Sequence, residues 1–441
     1  MQITPINHPL RATVRVPGSK SLTNRALLIA SLADEATRLT NALFSDDSRY
    51  FAKALQALGF DIQLNEASAE MTVTGLGGEI PAREAELFIG NAGTAARFLT
   101  AFLTLGKGEY ILDGDARMRE RPIDDLVQSL TQLGANIQSR RDTTVDWSLI
   151  TDHFHLCPPI KIIASGLKGG KTRIAGDISS QFLSALLMVA PYAKSPIEIE
   201  VTTDLNSKPY VDMTIAIMQD FGVQVIRSGY ESFCIPLVNY RLPITNLQSS
   251  GAYAIESDAS TASYFFAAPA ICGGTVRVEN ISRHSTQGDL AFLDVLKQVG
   301  CTIEEGKDSI QVTGAGSLNG IDINMSDIPD TAQTLAVIAP FAVSPTHIRG
   351  IASARVKESD RIHATCAELA RLGVQVEEHE DGMTIYPCKN CTPAMIHTYN
   401  DHRMAMAFAL IGLRVPGITI ENPSCVSKTF PNFFKVLGGL Q

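Results

Sequence analysis

The sequence predicts an α/β protein built from about six repeated units, three in each half of the chain. The first observation is a recurring phrase: a strand-like apolar stretch, a turn rich in Gly, Ser, Asp or Asn, and a helix of small and aliphatic residues. The second is a Gly that ends a second helix about once per unit. The third is that 441 residues, 45% of them hydrophobic, can form two substantial cores.

The repeated openings begin at residues 18, 90, 177, 257, 327 and 400. Each is rich in residues that cap helix N-termini. An uncovered helix N-terminus presents free N–H groups and a partial positive charge, so it attracts anions. We therefore expect the functional residues at these openings, and a ligand with several negative groups if the helix ends meet in one cleft.

A helix-ending Gly precedes a β-branched stretch in five units, at Gly59, Gly134, Gly222, Gly300 and Gly373. Gly at this position is typical of a left-handed helix cap before a strand. Each unit is therefore predicted to run strand, capped helix, strand, second helix, and closing strands, or approximately βαβαββ.

Two points mark where the chain passes between its halves. A strand up to Val16 is followed at once by the first opening, and residues 255–259 begin the fourth unit. We expect a discontinuous lower lobe of residues 1–18 plus 256–441 and an upper lobe of residues 19–255, with the active site in the cleft between them.

The net charge of −9 disfavours a general nucleic-acid or anionic-membrane surface, so any cationic site must be local. The first residues lack the basic head and apolar run of a secretory signal, and the apolar runs are too short to span a bilayer. A cytoplasmic location is expected.

The eight cysteines imply no disulfide framework. Cys388 and Cys391 have the spacing of half a zinc site, with His397 or His402 nearby, but no second pair follows. We expect neither a metal nor a cofactor.

Lys20, Ser21 and Arg25 stand in the first turns of a predicted helix. Cations there are unfavourable unless an anion meets them, although Ser capping beside a solvated Lys is the plainer alternative. Gly93 would let a backbone amide approach a ligand, or would only allow close packing. Arg121 could hold a carboxylate or phosphate, or be a solvated surface residue.

Short hydroxyls and an amide at Ser179, Ser180 and Gln181 suit a phosphate monoester or sugar-like hydroxyls. Ser207 adds a second polar cluster. In the run from Arg355 to Arg361, Lys357 and Arg361 lie four residues apart and Glu358 lies beside them. The same pattern is typical of an exposed, salt-bridged helix face. Further charged residues at later openings extend the set: Asp330, Arg403 and Lys428.

In order along the chain, these motifs resemble those of 5-enolpyruvylshikimate-3-phosphate synthases. The matching stretches are Pro17-Gly-Ser-Lys-Ser-Leu-Thr-Asn-Arg, Gly90-Asn-Ala-Gly-Thr-Ala, Arg119-Glu-Arg-Pro-Ile, Ser179-Ser-Gln-Phe, Ser207-Lys-Pro-Tyr, Arg355-Val-Lys-Glu-Ser-Asp-Arg, Tyr399-Asn-Asp-His-Arg-Met-Ala-Met and Lys428-Thr-Phe-Pro. The resemblance implies the two-lobed inside-out α/β barrel of enolpyruvyl transferases. It also implies transfer of the enolpyruvyl group of phosphoenolpyruvate to the 5-hydroxyl of shikimate 3-phosphate, with loss of phosphate.

The resemblance further implies a role for each matched residue. Asp330 would be the base toward the 5-hydroxyl and Glu358 the proton donor to C3, with Lys20 as the alternative donor. The phosphoenolpyruvate set would be Lys20, Gly93, Arg121, Gln181, Arg361, Arg403 and Lys428. The shikimate 3-phosphate set would be Lys20, Ser21, Arg25, Ser179, Ser180, Gln181, Ser207, Asp330, Ser353 and Lys357. A monomer with these two small-molecule partners is expected, without nucleic acid or membrane.

A proton on Glu358 near neutral pH requires burial to raise its pKa against the lowering by Lys357 and Arg361, and the sequence leaves that balance open. Two residues depart from the family pattern. Ser353 replaces the usual Asn beside the shikimate phosphate, and Phe98 replaces the usual Pro. We hypothesise that Phe98 shifts the helix carrying Gly93 and alters sensitivity to glyphosate, which competes with phosphoenolpyruvate.

Three other interpretations are weighed against this one. The sister transferase that acts on UDP-N-acetylglucosamine usually has a Cys before its Arg-Pro segment, and residues 113–122 contain none. An inactive anion-binding relative would not need a paired acid and base. A fragment of a larger multifunctional protein is disfavoured because the motif set spans the chain.

Overall fold

The computed structural model describes residues 1–139, 156–241 and 252–440. The chain forms two compact units, which we call the continuous unit (residues 18–255) and the discontinuous unit (residues 1–17 with 256–441). Over the described residues, no helix combines the length and apolarity needed to cross a membrane.

The first strand, β1 (Leu10–Arg15), belongs to the discontinuous unit, and the chain then builds the continuous unit. The helices of the continuous unit are α1 (Lys20–Leu32), α2 (Asp46–Ala57), α3 (Gly93–Leu103), α4 (Asp124–Gln132), α5 (Ser180–Val189) and α6 (Lys208–Asp220). Its strands are β2 (Ala36–Thr40), β3 (Ile62–Asn65), β4 (Glu70–Thr74), β5 (Glu84–Phe88), β6 (Lys107–Asp113), β7 (Asn136–Ser139), β8 (Ile160–Ser165), β9 (Gly170–Ile174), β10 (Ile197–Val201), β11 (Ile226–Ser228), β12 (Ser232–Ile235) and β13 (Ala252–Ala254).

The chain then completes the discontinuous unit. Its helices are α7 (Ala259–Cys272), α8 (Phe292–Val299), α9 (Ala332–Ile338), α10 (Arg361–Arg371), α11 (His402–Gly412) and α12 (Phe433–Gly438). Its strands are β14 (Gly274–Glu279), β15 (Thr302–Glu305), β16 (Ser309–Thr313), β17 (Asp322–Asn324), β18 (Thr346–Arg349), β19 (Val376–His379), β20 (Gly382–Ile385), β21 (Met395–Ile396) and β22 (Thr419–Ile420).

One strand order recurs in the four-stranded sheets of the described chain. A parallel pair forms one side of each sheet, and two antiparallel neighbours complete it. The continuous unit contains β13-β2-β4-β3, β5-β6-β8-β7 and β9-β10-β12-β11. The discontinuous unit contains β1-β14-β16-β15, β17-β18-β20-β19 and the parallel pair β21-β22.

Two of these sheets join strands that are distant in sequence. β1 lies parallel to β14, with Leu10 opposite Gly274, and β13 lies parallel to β2, with Ala252 opposite Arg38. The discontinuous unit is therefore completed by pairing β1 with a strand that follows the whole continuous unit, and the continuous unit by pairing its last strand with its first. This long-range pairing explains why the discontinuous unit contains the N-terminal 17 residues.

The first helix of each repeat is almost entirely buried. In the continuous unit α3 packs against α1 and α5, and in the discontinuous unit α7, α9 and α11 pack against one another. The second helices, such as α2 and α10, keep an exposed face. Since burying one large apolar side chain contributes about 1.5–3 kcal/mol, these inner helices form much of each core.

The predicted glycine caps are confirmed. Gly59, Gly134, Gly222, Gly300 and Gly373 all have positive φ, and each lies between a second helix and the strand that follows it. A left-handed backbone at these five positions reverses the chain without the steric cost that a Cβ would impose.

Side chains cap the first helix at four of the six openings, and at two of these the cap is a carboxylate. Asp258 caps α7 by accepting from the N–H of Thr261, and Asp401 caps α11 by accepting from the N–H of Arg403. These carboxylates already place negative charge on the positive helix ends. By contrast, α3 begins without a side-chain cap.

Candidate active site

Arg361 is the centre of a buried ion-pair network in the discontinuous unit. It begins α10, and its side chain is 3% exposed. The guanidinium donates to three carboxylates: from Nε to Asp401 at 2.8 Å, from Nη1 to Asp330 at 3.0 Å, and from Nη2 to Glu358 at 2.7 Å. Burial lowers the pKa of Arg361, but the three carboxylates together raise it by more, so the net shift is upward.

Two more cations extend the network. Arg403, in the first turn of α11, donates from Nη2 to Asp330 at 2.5 Å. Lys428 lies with Nζ 3.7 Å from Glu358 Oε1. The carboxylates of Asp330 and Glu358 are thus each shared by two cations. The structure brings together five residues that the sequence analysis selected.

Asp401 is a member of the network that the sequence analysis did not select. Its fully buried carboxylate caps α11, accepts from Arg361, and accepts from the Ser359 hydroxyl at 3.0 Å. The capping preference of Asp was a visible signal for its first role. Its second role depends on contact between α10 and α11, which local sequence does not reveal.

Residues 355–361 combine the two environments that the sequence analysis considered for them, a surface ion pair and a buried functional site. Arg355 donates to Asp360 at 2.8 Å and to Glu378 at 2.9 Å, as an ordinary surface ion-pair group does. Arg361 is buried within the network. Ser353 is buried in a short 3-10 turn (Ala352–Val356), and the partly buried Lys357 follows that turn.

Arg25 has a different environment in the continuous unit. It is fully buried, and Nε donates to Thr214 Oγ1 at 2.7 Å. The remaining N–H groups donate to the carbonyl of Ser21 at 3.0 Å, the carbonyl of Tyr210 at 3.1 Å and the hydroxyl of Ser184 at 3.3 Å. All of these acceptors are neutral, and burial lowers the pKa of Arg25 to about 10.

Phe98 packs directly against this arginine. The Arg25 guanidinium carbon lies 5.4 Å from the centre of the Phe98 ring, which is fully buried on α3. A cation over an aromatic face gains electrostatic stabilisation. The Phe that replaces the usual Pro at position 98 therefore contacts Arg25 directly. Its effect on Gly93 and on sensitivity to glyphosate stays a prediction.

Lys20 lies in the first turn of α1, whose N-cap is Ser19. Its Nζ is 3.6 Å from Oδ2 of Asp47, and the two side chains are 12% and 2% exposed. The alternative of a solvated Lys20 is therefore wrong. Asp47, in the first turn of α2, is a second functional candidate that the sequence analysis missed.

Gly93 and Arg121 lie together at the start of α3. Arg121 is 3% exposed and donates from Nη1 to Asn91 Oδ1 at 2.9 Å and to the Asn91 carbonyl at 3.2 Å. A Cβ at position 93 would lie 2.4 Å from Nη2 of Arg121. Gly93 therefore leaves room for the Arg121 guanidinium, and the surface-arginine alternative is wrong.

The remaining predicted residues of the continuous unit lie at two helix starts. Ser179 caps α5 by accepting from the Gln181 N–H at 3.3 Å, and Ser180 is buried beside it. Ser207 precedes α6 with φ 57° and ψ 45°, and it makes no side-chain cap. A non-glycine residue in this left-handed region is strained, and such strain is frequent at functional sites.

The cysteine pair considered for zinc lies elsewhere. Cys388 and Cys391 line one groove of about 710 Å³ on the discontinuous unit, whereas His402 is fully buried in α11. Across the described ranges, no three His, Cys, Asp or Glu side chains are grouped to hold a metal ion.

Comparisons with known proteins agree across nearly the whole chain. The family described as EPSP synthase (3-phosphoshikimate 1-carboxyvinyltransferase) matches residues 5–437. A Nostoc punctiforme protein named 3-phosphoshikimate 1-carboxyvinyltransferase is 49% identical over 434 residues, covering 98% of this chain and 97% of the relative. A protein of the same name from Sulfurovum is 48% identical over 436 residues, covering 99% of this chain and 97% of that one.

Solved structures show the same relationship. A structure titled as EPSP synthase from Acinetobacter baumannii aligns with a TM-score of 0.78 at 26% identity. The alignment covers 99% of this chain and 97% of the Acinetobacter chain.

Proposed function

The chain belongs to the EPSP synthase family, and from that premise we propose how its residues divide the work of the reaction. The reaction transfers the enolpyruvyl group of phosphoenolpyruvate to the 5-hydroxyl of shikimate 3-phosphate and releases phosphate, in the shikimate pathway. The observation that supports the proposal most directly is the Arg361 network, because it holds a candidate acid and a candidate base among three cations.

The fold proposed for this work is the two-lobed inside-out α/β barrel of about six βαβαββ-like units. Residues 1–18 plus 256–441 would form the lower lobe and residues 19–255 the upper lobe, with substrates in the cleft between them. Lobe closure would assemble the complete site and exclude water. The recurring strand order supports this arrangement.

Phosphoenolpyruvate would be bound by buried cations and the groups beside them. Its carboxylate and phosphate suit the bidentate geometry of guanidinium groups, and Arg361, Arg403 and Arg121 are each fixed by partners that aim them. The full set proposed is Lys20, Gly93, Arg121, Gln181, Arg361, Arg403 and Lys428.

Shikimate 3-phosphate would be bound mainly by the continuous unit. The buried charge of Arg25 meets only neutral acceptors among its hydrogen-bond partners, so much of its field is available to an anion. The full set proposed is Lys20, Ser21, Arg25, Ser179, Ser180, Gln181, Ser207, Asp330, Ser353 and Lys357.

The addition step needs one proton delivered and one removed: C3 of the enol accepts a proton, C2 becomes electrophilic, and the 5-hydroxyl attacks C2 as it loses its proton. The elimination step then breaks the C2–O bond to phosphate and one C3–H bond, which restores the double bond. Asp330 is proposed to take the hydroxyl proton. Its carboxylate is 20% exposed, so it is accessible to a substrate hydroxyl while two arginines orient it.

Glu358 is proposed to donate the proton to C3. Its side chain is 7% exposed, which favours the neutral acid, whereas Arg361 and Lys428 favour the carboxylate. When phosphoenolpyruvate brings its anionic groups to these cations, their hydrogen bonds are divided between substrate and protein. Less positive charge then acts on Glu358, and the protonated form gains. Lys20, which forms an ion pair with Asp47, is the second candidate donor.

The experiment that tests the proposal is phosphate release from phosphoenolpyruvate with shikimate 3-phosphate as acceptor. A parallel reaction uses UDP-N-acetylglucosamine, and Asp330→Ala is the control. We expect release only with shikimate 3-phosphate and its loss in the control. Release with the nucleotide sugar would assign the sister activity, and binding without turnover would indicate an inactive relative.

A further inference from the structure

Glu368 is a buried carboxylate outside the proposed substrate-binding sets. It lies on α10, and its side chain is 0% exposed. Oε2 accepts from Nε of Arg371 at 3.0 Å and from the backbone N–H of His397 at 3.1 Å. Oε1 accepts from the Tyr399 hydroxyl at 3.0 Å. Glu368 is therefore tied to residues 397–399, which lead into α11.

The chain takes an unusual path where Glu368 holds it. Tyr399 and Asn400 both have φ of 54°, so two consecutive non-glycine residues are left-handed. Such residues are strained and persist only where their surroundings hold them. Asn400 is held by the amide of Asn422, which donates to its side-chain oxygen at 3.2 Å. Tyr399 is held by Glu368.

The left-handed pair ends at Asp401. From there Asp401 caps α11 and binds Arg361, and Arg403 follows two residues later. Arg361 and Glu368 are seven residues apart on α10, which is two helical turns, so they lie on the same face. One face of α10 therefore holds both ends of the segment from His397 to Asp401.

We propose that Glu368 is a positioning residue for phosphoenolpyruvate binding. Through Tyr399 and His397 it maintains the left-handed turn that aims Asp401, and through Asp401 it fixes the guanidinium group of Arg361 and the backbone N–H of Arg403 at the start of α11. This inference rests on the proposed function, since it assigns the effect to the phosphoenolpyruvate residues of that site.

The test compares Glu368→Gln and Tyr399→Phe with a matched pair on the same unit. Tyr386 donates its hydroxyl to exposed Glu377 at 2.8 Å, so Glu377→Gln and Tyr386→Phe remove the same type of bond away from the network. Initial rates are measured with each substrate varied in turn, together with the melting temperature of every variant.

For Tyr399→Phe we expect KM for phosphoenolpyruvate to rise by about 3- to 10-fold, and for Glu368→Gln by about 10- to 100-fold, because the N–H and O–H donors of Arg371, His397 and Tyr399 lose a buried, charged acceptor. In these two variants KM for shikimate 3-phosphate should stay within about 2-fold of wild type. In both control variants the two KM values should stay within the same range. Tyr399 is 41% exposed, so Tyr399→Phe tests the inference even if Glu368→Gln folds poorly.

The outcomes separate this inference from the proposed function. A wild-type protein that releases no phosphate would defeat the proposed function. An active wild type whose Tyr399→Phe and Glu368→Gln variants keep both KM values would overturn the positioning role. A lower kcat with a lower melting temperature and unchanged KM values would also overturn it, because that pattern indicates loss of folded protein alone.

Discussion

Arg361 and Arg25 are both buried guanidinium groups, but the two units hold them in opposite ways. Arg361, in the discontinuous unit, donates to three carboxylates, and its pKa is raised. Arg25, in the continuous unit, donates to two hydroxyls and two carbonyls beside an aromatic ring, and its pKa is lowered to about 10.

This difference separates two uses of buried charge. A cation among carboxylates is neutralised, so its value lies in holding acid and base groups in place. A cation among neutral acceptors keeps its field, so its value lies in attracting an anion. In a chain of net charge −9, the second arrangement confines positive potential to a buried place, where shikimate 3-phosphate is proposed to bind.

The largest effect is expected for Arg361→Met. Loss of the guanidinium leaves Asp401, which is fully buried, without its cation, and it leaves Asp330 and Glu358 with one cation each. Breaking a buried ion pair costs about 3–5 kcal/mol, and we expect kcat/KM to fall by about 10³-fold or more. Urea unfolding and initial rates measure the two effects.

Arg355→Met is the matched control for that variant. Arg355 pairs with Asp360 and Glu378, but its side chain is 26% exposed. We expect about 0–1 kcal/mol of destabilisation and activity within about 2-fold of wild type. Equal losses in the two variants would show that the network has no special role.

The next largest effect is expected for Arg25→Met, which should weaken binding of shikimate 3-phosphate with little change in stability. Thr214 Oγ1 also lies 2.9 Å from Ser184 Oγ and 2.8 Å from the Tyr210 carbonyl oxygen, so its single O–H keeps an acceptor when Arg25 is removed. We expect the free energy of unfolding to change by less than about 1 kcal/mol and KM for shikimate 3-phosphate to rise by about 10²-fold. A stability loss as large as that of Arg361→Met would remove the contrast.

Gly93→Ala tests whether Arg121 is held in place by the space beside it. The new Cβ would lie 2.4 Å from Nη2 and 2.7 Å from Cζ of Arg121, so the guanidinium must move. We expect KM for phosphoenolpyruvate to rise by about 10-fold without a loss of stability. Gly316→Ala is the control, because no atom lies within 4 Å of its added Cβ. Unchanged kinetics in Gly93→Ala would contradict the proposed role of Arg121.

Phe98→Leu removes the aromatic face beside Arg25 while keeping an apolar side chain in α3. A cation–π contact at a buried site contributes about 1–2 kcal/mol. We therefore expect KM for shikimate 3-phosphate to rise by about 5- to 20-fold. Glyphosate inhibition measured in Phe98→Leu and Phe98→Pro checks the separate hypothesis about Phe98, and unchanged inhibition in Phe98→Pro would reject it.

The smallest expected effect is a rise of KM for shikimate 3-phosphate at alkaline pH. Arg25, with its pKa of about 10, begins to lose its proton in the folded protein near that pH, whereas Arg361 keeps its proton. KM for shikimate 3-phosphate should therefore rise a few-fold between pH 9 and about 10.5 in wild type, with Arg25→Met as the reference that lacks this component.

The lowered pKa of Arg25 weakens substrate binding at alkaline pH but increases the stability of the folded protein there. Between pH 10 and 12.5 the unfolded chain keeps the Arg25 proton that the folded chain releases, so the contribution of this group to stability rises with pH. An alkaline loss of stability that disappears in Arg25→Met would contradict this assignment.

Local physical chemistry predicted much of the fold. The five glycines after second helices were predicted as left-handed caps and have positive φ, because a left-handed helix cap favours a residue without Cβ. Lys20 and Arg25 were selected because cations beside helix openings are unfavourable without anions, and neither is a solvated surface side chain.

Long-range packing accounts for what the sequence did not reveal. Asp401 acts in the network because α10 and α11 meet, and Asp47 pairs with Lys20 across two helices. Three of the four neutral acceptors of Arg25 come from α5 and α6, more than 150 residues away along the chain. No periodicity or spacing encodes such contacts. Thus residue types were predictable, while their partners were not.

The most direct test of the division between the units is binding of shikimate 3-phosphate alone, measured by titration calorimetry on wild type, Arg25→Met and Arg361→Met. The account predicts that Arg25→Met weakens this binding by about 10²-fold, while Arg361→Met retains it within about 10-fold although turnover is lost. Binding that survives in Arg25→Met and is lost in Arg361→Met would contradict the account.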